Sequence, residues 1–119
     1  MGDVIVEMIV HLDDDVFKIV KEGKKDIEVR VNDEKRRKLK VGDTLIFLKR
    51  PNEDEEIRAK VTALDYYDTF ESLVCNYEME RIYKAYYTKE QWLKEMDRFY
   101  TLDEQKEWGV VAITFKKIN

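Results

Sequence analysis

Lys25, Glu28 and Arg30 stand within one short run, Gly23-Lys24-Lys25-Asp26-Ile27-Glu28-Val29-Arg30. On an extended segment Glu28 and Arg30, two apart, share a face, and Lys25 enters just before the strand. A carboxylate between two cations stays ionised. The arginine fork it orients keeps N–H groups free for a phosphate or a base edge. The same residues could instead serve an enzyme, with Lys25 as base or electrostatic stabiliser and Glu28 positioning a water. A plainer possibility is a solvated Glu–Arg neighbour pair, worth under about 1 kcal/mol.

Charge is segregated around this run. From Lys18 to Lys40 there are ten Lys or Arg against five Asp or Glu, whereas residues 1–17 carry a net charge of -5 and the whole chain -4. A basic stripe through Lys35, Arg36, Arg37 and Lys38 can touch phosphates although the protein is acidic overall, and such binding weakens with salt. Residues 66–108 hold 11 of the 14 aromatics. Most are expected to pack helices and core, while Tyr66 and Tyr67, near a strand-to-helix junction, are candidates for stacking on a base. Other chemistry is scarce. Ser72, His11 and Cys75 are each the only residue of their type. A structural zinc site and an internal disulfide are therefore excluded, and no cofactor is expected. His11 reads as a packed or edge residue, and Cys75 as a hydrophobe on a helix face.

The elements that must position these residues follow from periodicity. The 119 residues suit one domain over 1–119. Residues 4–12 are apolar on both alternations, which predicts a strand buried on most of its length. Asp13, Asp14 and Asp15 offer N-cap oxygens to a helix over 14–22, which Gly23 would end in a left-handed conformation. Ile27, Val29 and Val31 alternate with Glu28 and Arg30, so the charged pair lies on the face opposite an apolar one. Residues 34–40 read as a basic loop with room for one helical turn. Residues 44–48 and 57–64 predict a hairpin across a polar, proline-containing turn. Asp68 to Glu71, Thr88 to Gln91 and Thr101 to Glu104 have capping-box spacing and mark three helix starts. Residues 110–116 predict a closing strand. Ile27, Val29, Phe47, Val61 and Val111 are expected in one core.

The run from Gly23 to Arg30 resembles the G-x-K-x-x-E-x-R signature of the ASCH domain family, in its small single-domain prokaryotic form. The likeness continues through Asn32-Asp33-Glu34-Lys35-Arg36, the Val41-Gly42-Asp43 turn, Phe70-Glu71, Gln105 and Gly109-Val110-Val111. This resemblance implies an α+β, β-rich fold, a PUA-like pseudo-β-barrel of about five to six strands with peripheral helices. It also implies a cleft beside the signature strand that binds RNA or a nucleotide-like ligand. Some members resemble amidohydrolases acting on acetylated cytidine through a lysine and a threonine of the signature; here the lysine matches Lys25 and the threonine position is Glu28. A hydroxyl is missing there, which favours a binding module over an enzyme.

The expected ligand-binding set is thus Lys25, Glu28, Arg30, Lys35, Arg36, Arg37, Lys38, Tyr66 and Tyr67, with Lys25 and Glu28 as catalytic pair if a reaction occurs. The expected partner is RNA or a nucleotide-like ligand. Alternatives are a hydrolase acting on a modified nucleoside or RNA, and a protein-interaction module. The chain lacks the pattern of a signal peptide or membrane span, which predicts a cytoplasmic, soluble protein, monomeric by default. Its 40% of charged residues and few amides resemble the composition of heat-stable proteins.

Overall fold

In the computed structural model, which describes residues 4–118, the strands are β1 (Glu7–Leu12), β2 (Ile27–Val31), β3 (Thr44–Lys49), β4 (Glu56–Tyr67) and β5 (Val110–Lys117). The helices are α1 (Asp14–Lys21), α2 (Phe70–Val74), α3 (Met79–Ile82), α4 (Lys89–Asp97) and α5 (Leu102–Trp108), with a 3₁₀ turn at Arg36–Lys38. The five strands form one mixed sheet in the order β1-β3-β4-β5-β2, in which β1 and β3 are parallel and the other pairs antiparallel. β3 and β4 are the expected hairpin.

The sheet carries a core on each side. Met8, Val10, Phe47, Val61, Val111 and Ile113 pack with Phe17 and Val20 of α1 on one face. Ile27, Val29, Val31, Val110 and Ala112 pack with Phe70, Leu73, Ile82 and Trp92 on the other. β5 is therefore apolar at consecutive positions, because it is buried on both sides. Each buried Val, Leu, Ile, Phe or Met here contributes about 1.5–3 kcal/mol, which fixes the register of β2 and sends Glu28 and Arg30 to the face of Ile113 and Val111. The expected core residues all lie in these two layers, rather than in one.

Local signals set most ends. Gly23 closes the first helix with φ 81°, in the left-handed region that a side chain disfavours. Thr88 and Thr101 each accept from the backbone N–H three residues on, and Gln91 and Glu104 return the bond. Three expectations change. The first strand is an edge strand with alternating burial, Met8, Val10 and Leu12 inside and Glu7, Ile9 and His11 outside, because only the face toward Phe17 and Val20 is covered. The second helix begins one residue later than the Asp68–Glu71 spacing implies. Thr69 and Ser72 form the box there, and Phe70 turns inward, its N–H donating to the buried Gln105 Oε1 at 3.0 Å. Cys75 is also exposed at the end of α2 rather than packed on a helix face. The short α3 carries no cap signal in the sequence, and no side-chain cap bond forms at its start.

Candidate ligand cleft at the seam of the barrel

β1 and β2 are the two edges of the sheet, yet both line one cleft of about 310 Å³, through His11 and Leu12 on one side and Glu28, Val29 and Arg30 on the other. The sheet curls far enough to bring its edges to a common opening without pairing them. The cleft is the seam of an unclosed barrel. Val16 of α1 and Trp92, Glu95 and Met96 of α4 complete the walls with Ile82, Tyr83, Phe99 and Tyr100.

Glu28 and Arg30 form the floor, and an ionic relay continues behind them to Lys25. Lys25, 3% exposed, donates to Ile82 O at 2.8 Å, to Glu28 Oε1 at 3.0 Å and to Ile27 O. Three acceptors surround its amine and favour the ammonium form, while burial pushes its pKa down. Glu28 turns its other oxygen to Arg30 Nη2. Burial alone would raise the Glu28 carboxyl, but Arg30 and Lys25 together hold it below the usual carboxylate range. The neighbouring carboxylate in turn raises Arg30, whose guanidinium also interacts with Tyr100. Arg30 Nε is buried without a hydrogen-bond partner. Across the relay the charge sums to one positive, and aromatic rings stand on the walls.

The signature run also fastens the wall. Lys25 reaches the carbonyl of Ile82, and Asp26 takes both a backbone bond from its N–H to Arg81 O at 3.1 Å and two bonds from the Arg81 guanidinium at 2.9 and 3.2 Å. Lys84 binds Asp15 of α1 at 2.5 Å and sits over the rings of Tyr83 and Tyr87. The segment carrying Tyr83 is thereby held from two sides, by the run that enters β2 and by α1.

The structure brings Lys25, Glu28 and Arg30 together and distributes the other sequence candidates elsewhere. Lys35, Arg36, Arg37 and Lys38 do not line the cleft; they follow β2 in the 3₁₀ turn and its entry. Arg37 is engaged structurally, donating to Asn32 O at 2.9 Å and Trp108 O at 3.2 Å and lying over the Trp108 ring. Tyr66 pairs with Val111, which pairs with Arg30, so it shares the sheet face of the floor two strands away and is exposed. Tyr67 points to the opposite face and bonds Tyr77 through its hydroxyl at 3.0 Å. His11 is on the edge strand, bonded to Glu53 at 2.6 Å. The wall residues Arg50, Tyr83, Trp92, Glu95 and Tyr100 carry no local signal of their role; the aromatic density of residues 66–108 is the one hint, and it fits core packing equally well. Among the described residues no group of His, Cys, Asp or Glu could hold a metal ion, and no helix is long and apolar enough to cross a membrane.

A mixed five-stranded sheet curled into a half-barrel, with helices around it, defines an α+β protein of the PUA-like pseudo-barrel type. The chain belongs to the ASCH domain family, whose model matches residues 10–119. It is similar to hypothetical protein PH0355, with 30% identity, a TM-score of 0.83 and coverage of 95% of this chain and 100% of that one. Protein PF0455 from Pyrococcus furiosus is 28% identical, with a TM-score of 0.77 over 96% of this chain and 99% of its own. An ASCH protein from Zymomonas mobilis shares the fold at 20% identity, with a TM-score of 0.64 over 92% of this chain and 66% of its own. No curated protein matches the chain.

Proposed function

We propose that this ASCH domain is a binding module that takes RNA or a nucleotide-like ligand, with the base entering the seam cleft above Glu28 and Arg30. The observation that carries the reading is the Glu28–Arg30 pair at the floor of an aromatic-walled cleft, held from behind by the buried Lys25. An ion pair here is worth little for stability alone, since desolvating charges costs several kcal/mol per ion, on the order of what their attraction returns. It is well suited to recognition. Glu28 fixes the plane of the guanidinium, Arg30 offers N–H groups, and rings such as Tyr83 and Tyr100 can flank a base. The basic residues at 35–38 then lie outside the cleft, where phosphates of a strand would pass. Lys25 acts as a scaffold in this reading. Its ammonium is occupied by three oxygens, and Glu28 offers no hydroxyl, which weighs against hydrolysis through this pair.

Calorimetric titration with the four ribonucleosides and a short single-stranded RNA tests the reading. Arg30→Lys keeps a cation beside Glu28 but loses the planar fork, so affinity should drop about tenfold while circular dichroism stays native. Equal affinity of parent and variant for every ligand bound would refute it.

A further inference from the structure

The floor and the mouth of the cleft carry opposite charge. The floor holds Glu28 and Arg30, with Lys25 buried behind them, one positive in sum. At the mouth stand Asp13 and Glu95, and the shallow groove continuing past Asp13 adds Asp14 and Glu53. Arg50 faces this group with a single contact to Asp13 at 3.9 Å, Glu95 is met by Arg98 at 3.4 Å, and His11 is bonded to Glu53. Counting His11 as neutral, these groups leave the mouth two negative. The acidic lip is drawn from the start of the first helix, from α4 and from the turn between β3 and β4, and the basic turn at 36–38 follows the C-terminal end of β2.

Resting on the binding function proposed above, we infer that the seam cleft admits an uncharged base with its sugar and keeps phosphate out. An anion entering past Asp13, Asp14 and Glu95 moves against their field, while the buried floor rewards an acceptor atom placed on Arg30. A base has such acceptors and no charge. The ligand chemistry is therefore a nucleoside, either free or extruded from a strand whose phosphates remain outside on the Lys35 to Lys38 side.

The test is calorimetry of the full chain with each ribonucleoside and its 5′-monophosphate at low and high salt. The monophosphate should bind about threefold to tenfold more weakly at low salt, the scale of a few screened charge pairs, and the gap should shrink as salt rises. In Asp13→Asn with Asp14→Asn the gap should shrink without added salt. Neither carboxylate caps α1 through its side chain, so the variant should fold. Competition with single-stranded oligouridine separates the two sources: displacement of the nucleoside identifies an extruded base, and its absence a free nucleoside. Both support the inference. Monophosphates binding as tightly as nucleosides, or more tightly through Arg50, would overturn it while leaving the functional reading intact. An unchanged gap in the double variant would overturn it too. If no nucleoside, monophosphate or RNA binds at all, the functional reading falls and takes the inference with it.

Discussion

Replacing Glu28 by Gln removes the one anion from a buried cluster of three charges. The Lys25 and Glu28 side chains are 2% and 7% exposed and the Arg30 side chain 23%, so water cannot take the place of the lost carboxylate. Breaking a buried pair in this way costs about 3–5 kcal/mol, because the partner charge is left uncompensated. That is a large share of a domain stability of about 5–15 kcal/mol, and at about 3–5 °C per kcal/mol it lowers Tm by about 9–25 °C. The cause can be isolated. Lys25→Met in the Glu28→Gln background removes the stranded ammonium, so the double variant should be at least about 1 kcal/mol more stable than the sum of the single changes. Acid gives a second readout. Since the native Glu28 pKa lies below its ordinary value of 4.5, its stabilisation is complete above that value and is lost as pH falls through the native pKa; Glu28→Gln should lack this part of the acid loss. Urea unfolding followed by circular dichroism, at neutral pH and in steps toward about pH 3, measures both effects. A loss below about 1 kcal/mol, or strict additivity in the double variant, would show that the three charges do not act as one unit.

The basic turn should matter for strands and not for single nucleosides: neutralising Lys35, Arg36, Arg37 and Lys38 together should flatten the salt dependence of RNA affinity, measured by titration at two salt concentrations. Arg37→Gln alone should in addition lower stability by about 1–2 kcal/mol in urea, since it strips donors from Asn32 O and Trp108 O. Gly109→Ala should lower Tm, because Gly109 has φ 73° and an added Cβ would stand 3.2 Å from Tyr67 O; left-handed backbone at a non-glycine residue costs about 1 kcal/mol or more before that contact is relieved. Thr88→Ala removes one half of the box that starts α4, and a loss of about 1 kcal/mol is expected in the same unfolding assay.

Much of the fold was legible because its signals are local. Alternation at 27–31 separates an apolar from a charged face wherever the strand sits, Gly23 suits a left-handed helix end, and a Thr with Gln or Glu three residues later satisfies orphan N–H groups by itself. Spacing therefore placed Glu28 and Arg30 on one face, and the signature run added Lys25. The position of the second helix start was decided by packing, since burying Phe70 against Trp92 and Tyr100 selects Thr69 over Asp68 as the cap. The same holds for the cleft. That Lys25 reaches Ile82, 57 residues on, that the edges β1 and β2 meet at one opening, and that the acidic lip lies there while the basic turn does not, all follow from how far the sheet curls. Curl is the sum of twist, the irregularity between Val61 and Ala63, and the two apolar layers closing from opposite sides. Short-range spacing determines which face a side chain takes and where an element ends; only the closed three-dimensional packing determines which faces share a cavity.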